Sequence, residues 1–215
     1  MIQKRTFLIL LSFLFSAALC AQPRSTNSDV LFILDASGSM WQKLDGDFKI
    51  AIAKNVLQKL VEGLPSDTRC GLIVYGHNRK SDCSDIETLI PIGILDKKLF
   101  AEKLNGLNPT GMTPIAKSID HALAPLKKES GEVNCILVSD GLETCDGDAC
   151  ALVKKAKMQG VQLTMHVIGF GLAEADLSAL ECIAQAGGGQ YLPANNAEEL
   201  GEALESPRQT AAICP

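Results

Sequence analysis

Basic clusters, zinc-type ligand spacings, nucleotide-binding loops and long apolar runs are all missing from this 215-residue chain, and tryptophan occurs once. Each absence removes a class of function. Beyond the first 21 residues, 18 scattered lysines and arginines (20 minus Lys4 and Arg5) face 25 acidic residues, a formal net charge of −7 that suits a nucleic-acid partner poorly. No Cys-x2-Cys or His-x3-His pair is present, which removes the usual zinc sites. The stretch GFGLAEA stops short of Gly-x-Gly-x-x-Gly, and no other phosphate-cradling loop exists. Neither Gly-x-Ser-x-Gly nor His-Glu-x-x-His occurs, which excludes a hydrolase nucleophile elbow and a zinc-protease helix. Repeats and low-complexity tracts are absent too, and the length fits one domain with a full core.

The N-terminus has a different character. MIQKRTFLILLSFLFSAALCA joins a charged start to an apolar run at 7–15 and a small-residue end, which reads as a secretory signal over residues 1–21, cleaved after Ala21. That run is well short of the ~20 residues a membrane-spanning helix needs, so no transmembrane segment is expected in the mature chain. Cys20 invites a lipid-anchor reading, but Leu19 stands where a lipobox has a small residue, and the anchor is not adopted. The expected location is extracytoplasmic: periplasm, surface or medium. A linker at 22–28, a domain at 29–205 and a tail at 206–215 follow. Seven cysteines remain after cleavage, and an oxidising compartment makes them disulfide partners, with at least one left over. Cys145 and Cys150, across CDGDAC, form the nearest local pair.

Strand-like runs at 29–35, 68–76, 86–93, 132–140, 161–171 and 189–194 alternate with amphipathic segments of helical spacing. This predicts an α/β fold, a mainly parallel sheet of about six strands with helices on both faces. The first, fourth and fifth runs are apolar almost throughout, as doubly buried strands are. Only HNRKSDCSD links the second run to the third, too short for a crossover helix, so these two pair antiparallel with the third at an edge.

Ligands of open parallel sheets bind beyond the carboxyl ends of the strands. There the first run ends in Asp35, followed by Ser37 and Ser39, and the fourth ends in Ser139-Asp140-Gly141. The loop NPTGMTPIAKSI adds Thr110 and Thr113 before a helix. With the first and fourth strands adjacent, two carboxylates and several hydroxyls converge, the donor set of a hard cation such as Mg2+ (or Mn2+ or Ca2+). The two aspartates cancel the charge of a divalent ion and the hydroxyls add none, so the ion stays electrophilic toward an outside carboxylate.

DASGSM, TGMTP and SDG, in this order, resemble the von Willebrand factor type A domain and its metal-ion-dependent adhesion site, over roughly residues 29–205. The resemblance implies a Rossmann-like fold with one antiparallel edge strand. Carried over residue by residue, it gives the metal to Asp35, Ser37, Ser39, Thr113 and Asp140. Thr113 is preferred to Thr110 because PIAKSI continues into a helix as the family pattern does. It also implies that a partner protein completes the metal shell with an Asp or Glu side chain.

Trp41 directly follows the serine motif and His77 ends the second strand run, which makes both candidates for a partner-contact rim; packing and a solvated loop are their bland alternatives. His121 and His166 read as structural. Asp140, Glu143, Asp146 and Asp148 resemble a loose calcium loop without its spacing. A metal-dependent protein-binding module, not an enzyme, is therefore expected first. A phosphatase-like hydrolase using Asp35 and Asp140 comes second, although Ser37 stands where such enzymes have a second aspartate, and a metal-free structural domain comes third.

Overall fold

Strand β1 (Asp29–Asp35) sends Val30, Phe32 and Leu34 into one buried cluster and Leu31 and Ile33 into another, the period-two alternation of an extended chain with a core on each side. The computed structural model describes residues 29–127, 131–172 and 177–211, with side chains to Pro207. The leader, Cys20, the 22–28 linker and Cys214 lie outside the described residues.

From β1 the chain makes a short 3-10 turn (Gly38–Trp41) and a small hairpin, β2 (Lys43–Leu44) with β3 (Asp47–Phe48), before helix α1 (Lys49–Gly63). Next come β4 (Arg69–Tyr75), β5 (Ile86–Ile94), α2 (Lys97–Asn105), α3 (Ile115–Leu126), β6 (Val133–Ser139) and α4 (Ala149–Met158). β7 (Leu163–Phe170), α5 (Ser178–Ala186), β8 (Tyr191–Ala194) and α6 (Ala197–Ala211) complete the order. The six long strands form one sheet, β5-β4-β1-β6-β7-β8, parallel except for β5, which runs antiparallel to β4 at the edge. Pro91 sits in that edge strand, where a missing N–H costs no inner ladder bond.

Leucines and isoleucines of α1, α2 and α6 cover one face with Phe100, and those of α3, α4 and α5 cover the other. The chain leaves β1 for β4 along the first face and leaves β6 for β7 along the second. The carboxyl ends of β1 and β6, adjacent in the sheet, therefore part company, and a crevice opens between them.

Candidate functional site

Asp35, at the end of β1, is fully buried. Its Oδ1 accepts the Ser37 N–H at 2.8 Å. Its Oδ2 lies 2.8 Å from the Tyr75 hydroxyl and 2.7 Å from that of Ser139. Each hydroxyl has one proton, and giving both to Asp35 satisfies an oxygen that water cannot reach. Burial, then the nearby charge of Asp140, pushes the Asp35 carboxyl up to about 6, against the lowering effect of its bonds to Ser37 and Ser139. Burial, reinforced by Asp35, holds the Tyr75 phenol well above its ordinary range, so it stays a donor.

The hydroxyls of Ser37 and Ser39 stand 3.0 Å apart, and Ser39 Oγ donates to Asp140 Oδ1 at 2.6 Å. Asp140 Oδ2 receives the ammonium of Lys49, the first residue of α1, at 3.1 Å. Thr113 is buried just ahead of α3; a β-carbon on Gly141 would stand 3.7 Å from its Oγ1 and 3.9 Å from Ser39 Oγ, which locates both hydroxyls beside the loop that follows Asp140. The Thr110 hydroxyl instead faces the carbonyls of Asn108 at 3.1 Å and His77 at 3.4 Å. Ser37, Ser39, Thr113, Asp35 and Asp140 thus share one crevice.

Backbone bonds fix these loops to one another. Gly76 O accepts from Thr110 N and Gly111 N at 2.9 and 2.8 Å, and Gly38 N donates to Gly111 O at 3.0 Å. Gly76 is held at φ +71°, and a β-carbon there would stand 2.6 Å from Met112 O, so only glycine lets the three loops meet. A disulfide between Cys83 and Cys145 links the β4–β5 loop to the loop after β6. The expected Cys145–Cys150 pair is therefore incorrect. Asp148 caps α4, and Cys150 enters that helix on the side of α5, where it bonds Cys182; Cys145 precedes the cap and meets the facing loop. Cys70 and Cys135 are thiols inside β4 and β6, pushed up to about 12 by burial.

Two acidic residues of the loop after Asp140 are committed to backbone. Glu143 accepts from Ala116 N and Cys145 N, both at 2.7 Å, and Asp148 from Ala151 N at 2.8 Å. Among the described residues no three His, Cys, Asp or Glu side chains are grouped to hold a metal. The oxygen donors gathered at the strand ends are the two aspartates and the hydroxyls. Their geometry suits a hard cation: Mg2+ at about 2.0–2.1 Å from its ligands sets adjacent octahedral vertices about 3 Å apart, which is the 3.0 Å between Ser37 and Ser39 oxygens.

Trp41 is 46% exposed, donates from Nε1 to Pro109 O at 2.8 Å and meets Phe48 edge-on with ring centres 5.2 Å apart, so it packs on a neighbouring loop. His77 turns its Nε2 toward Glu87 on β5, at 3.2 Å. His121 bonds Thr88 and His166 is buried, accepting from Gln190 N.

Sequence reasoning missed Tyr75, Ser139 and Lys49. Ser139 reads from the sequence only as part of a strand end, and Tyr75 carries no motif. Lys49 did leave a signal, because it lies in phase with Ile52, Ala53 and Leu57 on the apolar stripe of α1.

A mostly parallel sheet with one reversed edge and oxygen donors gathered at its switch point defines a Rossmann-like α/β domain. Residues 29–206 match the von Willebrand factor type A domain model, and the chain belongs to that family. It is 37% identical over 202 residues to YwmD of Bacillus subtilis strain 168, an uncharacterized protein, covering 88% of each chain. In structure it is similar to the vWF domain of the type V pili tip protein Mfa5 from Porphyromonas gingivalis, with a TM-score of 0.66 at 16% identity over 86% of this chain and 95% of that one. The pilus adhesin SpaC from Lactobacillus rhamnosus GG gives a TM-score of 0.67 at 15% identity, over 86% of this chain and 30% of the adhesin.

Proposed function

We propose that the domain is a metal-dependent protein-binding module that works outside the cytoplasm. The observation that carries this reading is the crevice itself: two buried carboxylates sharing one site with the hydroxyls of Ser37, Ser39 and Thr113. Asp35, Ser37, Ser39, Thr113 and Asp140 would hold Mg2+ (or Mn2+ or Ca2+), and the ion would supply a Lewis-acidic position for an Asp or Glu of a partner protein. Tyr75 and Ser139 fix Asp35, the Ser39 hydroxyl holds one oxygen of Asp140, and the pinned loops keep the hydroxyls aimed inward. Trp41, and the loop bearing His77, border the entrance.

The hydrolase reading draws less support. Ser37 stands where such enzymes have a second aspartate, and a hydroxyl there cannot act as the general acid–base. Fold neighbours that are pilus proteins favour binding over turnover. Two disulfides and the leader-like N-terminus favour an oxidising compartment, and no helix among the described residues is long and apolar enough to cross a membrane.

Millimolar Mg2+ or Mn2+ should raise the melting temperature of the wild type and leave that of Asp35→Ala/Asp140→Ala unchanged. A pull-down from the native envelope or medium should recover a partner with the wild type alone, and EDTA should release it. Equal capture by the double variant would remove the metal bridge.

A further inference from the structure

Lys49 is a lysine at a core position. It is 4% exposed, and a charge so deep is tolerated only when paired. Its ammonium has three acceptors, one for each N–H: Asp140 Oδ2 at 3.1 Å, Gln42 Oε1 at 3.2 Å and Gly171 O at 3.1 Å. The slot is shaped for it. Gly171, at φ +61°, follows β7, and a β-carbon there would stand 2.8 Å from Lys49 Cε. Three segments therefore converge on one cation: the loop after β1, the end of β6 and the loop after β7.

Without Lys49 the crevice would hold two buried carboxylates and only neutral hydroxyls. With it, the formal charge of Asp35, Asp140 and Lys49 is −2 + 1, or −1. A divalent ion would bring the total to +1, not zero. A carboxylate from outside is then attracted by an uncompensated charge, whereas a neutral amide of the same shape is not.

We propose that Lys49 is the resident cation of the crevice: it holds Asp140 in place before a divalent ion arrives, competes with that ion, and leaves the loaded site positively charged for an anionic partner group. This deepens the metal-binding reading and rests on it for the competition, while the hold on Asp140 stands without metal. A unit charge about 5 Å from a divalent ion, at an effective dielectric of about 20, alters its affinity by several orders of magnitude, and tenfold is a conservative floor for the effect.

The test uses Lys49→Met and Lys49→Met/Asp140→Asn in the full secreted chain, with melting in EDTA and Mn2+ affinity by calorimetry as readouts. Lys49→Met should melt well below wild type in EDTA and bind Mn2+ at least tenfold more tightly. The double variant, whose amide needs no counter-charge, should recover much of the EDTA melting temperature. Lys49→Met melting like wild type in EDTA, or binding Mn2+ no more tightly, overturns the proposal. Should Lys49→Met fail to fold even with Mn2+, the double variant decides: a folded protein supports charge neutralisation and an unfolded one refutes it. A wild type that takes up no Mn2+ would defeat the metal reading and the competition with it, and the EDTA comparison would still judge the hold on Asp140.

Discussion

His166 and Asp35 are two buried titratable residues whose effects on stability run in opposite directions with pH. Burial lowers the His166 pKa below its ordinary 6.5, and Nδ1 accepts the Gln190 N–H as a neutral ring must. Its folded form disfavours the proton, so its contribution is complete above pH 6.5 and is lost as pH falls below that value. Asp35 is raised from 3.8 to about 6, so in metal-free protein its contribution is complete below 3.8 and is lost as pH rises through about 6. The two partly cancel in the wild type. Single variants should separate them in urea titrations between pH 7.5 and 5: with EDTA present, His166→Gln should become more stable relative to wild type as pH falls, and Asp35→Asn as pH rises. A wild-type-minus-variant difference flat with pH would assign the effect to other groups. The same residues show what a sequence can disclose. Asp35, Ser37, Ser39, Thr113 and Asp140 stand in short motifs at strand ends, while Tyr75, a residue that merely looks apolar and aromatic on a strand, reaches Asp35 only because β4 lies beside β1 with Tyr75 opposite it.

Among the elements, the long strands were legible because each carries its own periodicity, and the reversed edge strand because nine residues cannot cross a sheet. The β2–β3 hairpin was not, since two residues per arm leave no pattern, although Asp45-Gly46, both at positive φ (52° and 96°), is the turn such hairpins use. The disulfides escaped for a related reason: each joins elements, spanning 62 and 32 residues, and nothing local encodes that. Chain-entropy reasoning gives both bridges about 4 kcal/mol of stabilisation, so stability alone will not distinguish them. Position will. Cys83→Ser/Cys145→Ser frees a loop bordering the crevice and should lose most of the Mg2+-induced thermal shift, whereas Cys150→Ser/Cys182→Ser, which unpins α4 from α5, should melt earlier and keep that shift. Equal shifts in both variants would show that the loop needs no tether.

For the molecule as a whole, the sheet divides two cores that share β1, and the site occupies the point where the chain's two windings diverge. Strand order was inferable only through the assumption that β1 and β6 are neighbours, which no single segment states and the pairing of Asp29 through Leu34 with Val133 through Val138 supplies. The only tryptophan, Trp41, is half-exposed two residues beyond Ser39 and tethered to the loop that leads to Thr113, so the chain's one indole sits beside the hydroxyl cluster. Its emission should change with Mn2+ in wild type and stay constant in Asp140→Ala, so occupancy of the crevice can be titrated on unlabelled protein. Excited at the red edge of its absorption, where Tyr75 and Tyr191 do not absorb, that indole reports on one corner of the fold.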